Sequence, residues 1–298
     1  VELVVSKGRV IPFEALPPRS IALDGYVQGP FIDEENRRYS FDHHAGCVRF
    51  ATRSTIEQVR NALKLGLHPK EFTVFANDVD LDTAGSVFLL RHPEFVDHPT
   101  VQELVHGAGY MDSFVGAYPL SGSWEYLDWI IEPAMVAREA GFYHEMGDRE
   151  YVTMIEIIES RILQWIQGKA SEEEIRDAFA RLHGEPRHHT TSTFGWEMYE
   201  SSRIYDTGML LSRGHRRVVR FHKTDDRHHY TIARASDFVE RFPVPLLLDE
   251  LSGEDPEKRG SWGGGSTVGG SPRPYGSLLA PDDVARIVDR VLARLAAI

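Results

Sequence analysis

The chain has 298 residues with a formal charge of −12, and 42% of it is hydrophobic against 26% charged. This composition predicts a soluble globular protein of one large domain or two ordinary ones, and it excludes a coat for long nucleic acid, which needs a broad positive field. A single cysteine, Cys47, excludes an internal disulfide; no apolar run reaches the roughly 20 residues that span a bilayer, and the N-terminus lacks signal-peptide order, so a cytoplasmic protein with no membrane partner is expected.

Residues 1–18 alternate apolar and turn residues, which predicts a short strand or hairpin and a Pro-rich connection. Ser20 to Asp24 is an apolar run closed by a carboxylate and Gly25, the pattern of a strand that delivers Asp24 at its end. Tyr39, Ser40 and Phe41 lead in the same way into Asp42, His43 and His44, whose hard oxygen and two imidazoles suit manganese, iron or zinc. An adjacent His pair is weak evidence alone, because His188-His189 and His228-His229 occur in the same chain of 14 histidines.

The segment 54–66 has Ile56, Val59 and Leu63 at helical spacing, Ser54 or Thr55 as its cap and Gly66 at its close, and so predicts an amphipathic helix. Phe72 to Leu90 follows as an apolar run, then Asp78, Asp80 and Asp82 at period two, then a second helix. On an extended backbone these three carboxylates share one face, and closely spaced carboxylates are usually held together by a divalent cation; a solvated acidic turn is the alternative. Strand, helix, strand in this order favours a parallel α/β sheet, whose ligands bind at the carboxyl ends of strands. A short helix is expected over 99–106, with Asp112 in a Gly-flanked turn after it.

Further helices are expected over 124–141, 148–168, 171–183 and 281–295, the last with Val284, Ile287, Val288, Val291, Leu292 and Leu295 on one stripe. Strands are expected over 217–222 and 230–235, amid a basic cluster that includes Arg213, Arg216, Arg217, Arg220, Lys223 and Arg227. Such a cluster suits a phosphate-bearing ligand or a solvated hairpin. In Ser261 to Arg273, SWGGGSTVGGSPR, glycines let backbone N–H groups approach an anion and Arg273 adds a fork of donors, although a flexible linker has the same composition.

Taken together, Asp80-Leu81-Asp82-Thr83-Ala84-Gly85-Ser86 resembles the DxDAxGS-type motif of the DHH phosphoesterase superfamily, and Asp42-His43-His44 resembles the triplet that names it. Asp24 is similar to the lone Asp of that family, and Asp112 to its fourth-motif Asp. The resemblance implies a metal set of Asp24, Asp42, His43, Asp80, Asp82 and Asp112, with one or two Mn2+ ions or Mg2+ in their place. It implies catalytic roles for His44, Asp80 and Asp112, and hydrolysis of a phosphate ester or anhydride of a nucleotide or short oligonucleotide. Gly263-Gly264-Gly265-Ser266 resembles the family's Gly-rich substrate loop, which implies substrate contacts by Gly264, Gly265, Ser266, Arg273 and Arg234.

Two departures stand out. The motif order Asp24, DHH, DxD, Asp112 is that of a circularly permuted member. Ala76 occupies the position of a family histidine, for which Asp78, His68 and His106 are candidate substitutes, and Ser266 stands where a loop histidine is usual. A catalytically impaired nucleotide-binding or regulatory protein is therefore the rival reading. The expected fold class is α/β: a parallel-sheet DHH-like domain over 1–123, a helical connector over 124–190 and a smaller α+β substrate-binding domain over 191–298. An exposed part of the central helices could pair two copies as a homodimer.

Overall fold

The computed structural model describes residues 1–44, 46–48, 50–114, 124–203, 205–273 and 275–297. The chain divides into two units, one from Val1 to Ser113 and on to Leu182, the other from His183 onward. The sequence-based boundary at residue 123 lies outside the described residues.

The first unit contains β1 (Glu2–Val5), β2 (Ser20–Leu23), β3 (Phe31–Asp33), β4 (Arg38–Phe41), α1 (Thr55–Lys64), β5 (Thr73–Ala76), α2 (Leu81–Arg91), α3 (Pro99–Phe114), α4 (Trp124–Glu139), α5 (Asp148–Ile166) and α6 (Glu172–Leu182). Its sheet runs β1-β5-β2-β4-β3, parallel except where β3 pairs antiparallel with β4. Leu23 lies opposite Phe41, and Ala22 opposite Phe75, so β2, β4 and β5 end together along one edge. The central strand β2 is buried at every position, as expected for a strand covered on both faces.

Helix α1 starts where Glu57 accepts from the backbone N–H and hydroxyl of Ser54. Helix α2 is buried from Leu81 to Leu90, the signature of a helix enclosed on all sides. Gly85 explains how close these two helices come: a Cβ there would lie 2.4 Å from Ile56 Cδ1. Helices α4, α5 and α6 pack on one another, with α5 also against β1 and α2.

Two local expectations are corrected. The carboxylates of 78–82 do not sit on an extended strand, because β5 stops at Ala76 and Asp80 caps α2, accepting from Thr83 N at 2.7 Å. Capping outcompetes strand extension here, and Asp82 is already helical. Asp112 is likewise in a helix, since α3 runs through Gly107 and Gly109 to Phe114. Each helical glycine costs about 1 kcal/mol relative to alanine. Both are needed for packing: a Cβ at Gly107 would meet Leu127 Cδ1 at 2.3 Å, and one at Gly109 would meet Ser54 Oγ at 2.9 Å.

The second unit contains β6 (Arg187–Thr191), β7 (Glu197–Glu200), α7 (Asp206–Ser212), β8 (Arg217–Thr224), β9 (Arg227–Arg234), α8 (Val244–Glu254), β10 (Gly263–Gly264), β11 (Val268–Gly270) and α9 (Pro281–Ala296). Its sheet runs β10-β11-β9-β8-β7-β6, antiparallel except for β7 beside β8. The stripe foreseen on α9 closes a core with Trp196, Phe221, Ile232, Phe242 and Leu247. The Gly-rich stretch is a narrow ribbon rather than an open loop, with Gly264 opposite Gly269. A Cβ at Gly264 would fall 2.2 Å from Gly269 Cα, so glycine is required there by backbone approach. Among the described residues no helix is long and apolar enough to cross a membrane.

Candidate metal centre

The shared carboxyl edge of β2, β4 and β5 collects the polar residues singled out above. Asp24 follows β2 directly, its N–H bonded to Phe41 O at 2.9 Å. Its φ of +49° is left-handed, a conformation that costs a non-glycine residue about 1 kcal/mol or more and is held here by its surroundings. Thr55 Oγ1 donates to Asp24 Oδ1 at 3.0 Å, and Thr83 Oγ1 to Oδ2 at 2.9 Å, so the carboxylate is fixed from α1 and α2.

Asp82 is anchored across the same helices. Its two oxygens accept from Thr55 N and Ile56 N, each at 2.8 Å, at the amino end of α1 where helix polarity favours a negative charge. Each oxygen keeps further acceptor capacity toward a cation. Asp112 reaches the same point from α3.

His43 is the centre of the cluster. Its Nε2 lies 2.6 Å from Asp112 Oδ2, 3.6 Å from Asp82 Oδ2 and 3.7 Å from Asp24 Oδ1. The side chain is 0% exposed, and among the described residues its Nδ1 has no hydrogen bond. A buried polar atom left this way costs about 1–3 kcal/mol unless something binds it. Two ligand groups share this residue, Asp24 with His43 and His44, and His43 with Asp82 and Asp112, the donor atoms within each lying inside 4.8 Å of one another. One imidazole among carboxylates suits manganese, with magnesium admitted by the oxygens.

Electrostatics point the same way. Asp24 and Asp82 are pushed well above the ordinary carboxylate range, first by burial and then by their acidic neighbours: Asp80 and Asp112 for Asp24, Asp24 and Asp112 for Asp82. Asp80 is raised by burial, then by Asp78 and Asp112. Carboxylates that oppose one another's ionisation are what a divalent cation stabilises.

Asp42 and His44 form a separate pair. Burial pushes Asp42 up, but the His44 ring and the Gly29 N–H, 2.6 Å from Oδ2, outweigh it and hold the group below its usual range. His44 Nδ1 lies 2.8 Å from Asp42 Oδ1, and this bond, with the charges of Asp24 and Asp112, raises the imidazole to about 9. Its side chain is 39% exposed, so the pair presents a cationic ring to solvent. Asp42 thus lies outside both ligand groups and orients His44 instead.

Three sequence candidates fall elsewhere. Asp78 pairs with Arg138 and Tyr143 and is in neither ligand group. His68 precedes β5, at the opposite edge from Ala76. His106 stacks edge-on against Tyr110 at 4.3 Å and, with Arg53, Arg60 and Gln102, lines a cavity of about 440 Å3. Sequence reasoning gave no role to Thr55, Thr83, Arg138 or Tyr143. The hydroxyl three residues after the Asp80 cap was the one visible signal for Thr83.

In the second unit, Arg234 is turned inward. Its Nε donates to Ser266 O at 2.9 Å and its Nη2 to Asp237 Oδ1 at 2.6 Å, so its guanidinium fastens the Gly ribbon rather than standing open to a ligand. Gly264, Gly265, Ser266 and Arg273 are exposed.

No family model and no curated protein matches the sequence. Several solved structures are similar to the chain, two of them as follows. An exopolyphosphatase-related protein from Bacteroides fragilis is 14% identical, with a TM-score of 0.35, over 93% of this chain and 71% of that one. A pGpG-specific phosphodiesterase, PggH, from Vibrio cholerae is 10% identical, with a TM-score of 0.45, over 100% of this chain and 99% of that one.

Proposed function

We propose that this chain is a divalent-metal-dependent phosphoesterase of the DHH type, with its motifs in circularly permuted order, acting on a phosphorylated nucleotide or short oligonucleotide. The observation that carries this reading is His43: fully buried, with its Nε2 ringed by the carboxylates of Asp112, Asp82 and Asp24 at 2.6, 3.6 and 3.7 Å. Those four residues would hold manganese, with Asp80 beside them. The cation would supply positive charge to phosphoryl oxygens and make a water more acidic.

The chain's own residues supply the rest. Thr55 and Thr83 fix the Asp24 carboxylate, and the amino end of α1 fixes Asp82. Asp42 accepts from Nδ1–H of His44, which leaves Nε2–H as the second donor of a partly exposed imidazolium. At neutral pH such a group donates a hydrogen bond to a phosphate oxygen and a proton to a leaving oxygen. Residues 191–298 are proposed as a substrate-binding region with Gly265, Ser266 and Arg273 as its contacts, and 124–190 as the connector.

The test is a manganese-supplemented hydrolysis panel of nucleotides, short oligonucleotides and pyrophosphate, run beside Asp80→Ala. Hydrolysis that needs manganese and disappears in the variant is expected; absence of manganese binding, or activity that survives Asp80→Ala, sinks the proposal. Ala76 and Ser266 favour the rival, a nucleotide sensor without turnover, which predicts ligand-dependent thermal stabilisation with no product.

A further inference from the structure

Arg138 stands in the last turn of α4 and reaches the loop between β5 and α2, two residues ahead of the Asp80 cap. Its Nη2 donates to Asp78 Oδ1 at 3.2 Å, to Val79 O at 3.0 Å and to the Tyr143 hydroxyl at 2.9 Å. Tyr143 repeats the grip: its hydroxyl bonds the Asp78 carboxylate and accepts from Val79 N at 3.0 Å. The guanidinium also lies over the Tyr143 ring, 4.3 Å from its centroid. Tyr143 is in turn held from the end of β1, where Lys7 Nζ donates to its carbonyl at 3.2 Å and to that of Met146 at 2.9 Å. This is a clamp on Asp78 made by Arg138 and Tyr143, with Lys7 bracing Tyr143.

The clamp bears on how many cations the centre can hold. The ligand atoms that converge form two groups that share His43, Asp24 with His43 and His44 and His43 with Asp82 and Asp112. They cannot serve two ions at once, because Nε2 of His43 is the atom nearest all three carboxylates and Nδ1 of His44 is held by Asp42 at 2.8 Å. A second ion on the β5 side would have to draw on Asp24, Asp80 and Asp78. Ala76, at the end of β5, offers nothing. Asp24 already belongs to the set around His43, Asp80 Oδ1 caps α2, and Asp78 Oδ1 is taken by Arg138. Too few ligands remain for a hard divalent ion, which takes six or more.

We propose that the centre binds one manganese ion tightly, and that Arg138, by capturing Asp78, places a fixed positive charge where a second ion would otherwise bind. Arg138 is then a positioning residue: it sets the loop that carries Asp80 and lowers the negative field that Asp78 exerts on it. The inference rests on the phosphoesterase reading for the identity of the ion, and goes beyond it in fixing the count.

The experiment is manganese stoichiometry by equilibrium dialysis with elemental analysis, together with the electron paramagnetic resonance spectrum of the bound ions, on the full chain. Wild type is expected to take one ion per chain and to give the spectrum of an isolated Mn2+. Arg138→Ala is expected to take two, with magnetic coupling between them, and Arg138→Lys to take one. Adding Asp78→Asn to Arg138→Ala is expected to restore one. Two coupled ions in wild type overturn the inference and leave the metal-dependent reading standing. Wild type with one ion and a folded Arg138→Ala that also takes one overturns the role of Arg138, while no bound ion in wild type overturns both readings. The wild-type count decides the nuclearity even if Arg138→Ala does not fold.

Discussion

The Gly ribbon and the carboxyl edge of the parallel sheet arrange their polar side chains in opposite ways. In the unit that begins at His183, polar groups near the Gly ribbon close on one another: Arg234 on Ser266 O and Asp237, Trp262 Nε1 on Asp255 at 2.8 Å, and Glu257 between Arg227 and Arg259. At the carboxyl edge of the parallel sheet, acidic groups instead face one another around the buried imidazole of His43. Carboxylates crowded together in this way oppose one another's ionisation, so the edge is built for something besides stability. A satisfied arginine such as Arg234 carries no such implication, however well its position fits a motif.

The largest expected effect breaks the acidic edge itself. Asp82→Asn keeps an oxygen for the amino end of α1 but removes the charge beside His43, and should lower manganese-dependent hydrolysis by on the order of a thousandfold, about 4 kcal/mol of transition-state stabilisation. Steady-state kinetics at saturating manganese measure it; a loss below tenfold would place the centre elsewhere. One step out, Thr83→Val removes the hydroxyl that fixes Asp24 Oδ2 and should weaken manganese affinity about 10–100-fold, as for other residues that orient ligands. Titration calorimetry reads this directly. In the other unit, Arg234→Gln should cost about 1 kcal/mol of stability through lost inward hydrogen bonds, with manganese affinity unchanged. A rise in KM with no change in the melting transition would reverse that contrast and return Arg234 to substrate recognition.

How much of this was legible beforehand follows the same divide. Local grammar revealed apolar runs that end on Asp24, Asp42 and the 78–82 carboxylates, and helical periodicity located α1, α5 and α9, because these signals lie within a few residues. What escaped depends on contacts between distant segments. Nothing near Gly107 or Gly109 shows that Leu127 and Ser54 need those positions empty, so α3 looked shorter than it is. Asp78 looked like a ligand by spacing, and only the fold brings Arg138 from 60 residues away to claim it. The Gly-rich stretch fitted an anion loop equally well until pairing with β11 showed that its glycines serve backbone approach.

The pH dependence of stability gives the smallest effect and separates the two regions by sign. Asp24 and Asp82 have folded-state pKa values raised above their ordinary 3.8, by burial and then by acidic neighbours. Their contribution is complete below the unfolded value and is lost as pH rises through the folded one, because the unfolded chain ionises first. His222, in β8, is depressed from 6.5 to about 4 by burial and then by Arg220 and His229. Its contribution is complete above 6.5 and is lost as pH falls toward 4, because the unfolded chain then binds the proton first. In metal-free protein, thermal melts should therefore show the carboxylates costing stability on the way up from pH 4 and His222 costing it on the way down from pH 6.5. Manganese should flatten the first slope to what Glu159 contributes, since a bound cation favours the ionised carboxylates, and leave the second in place. His222→Asn should reduce the second to what His228 and His229 contribute and leave the first. A manganese effect that is uniform across this range would mean that the ion does not bind at Asp24 and Asp82, and the contrast between the two sheets would lose its electrostatic basis.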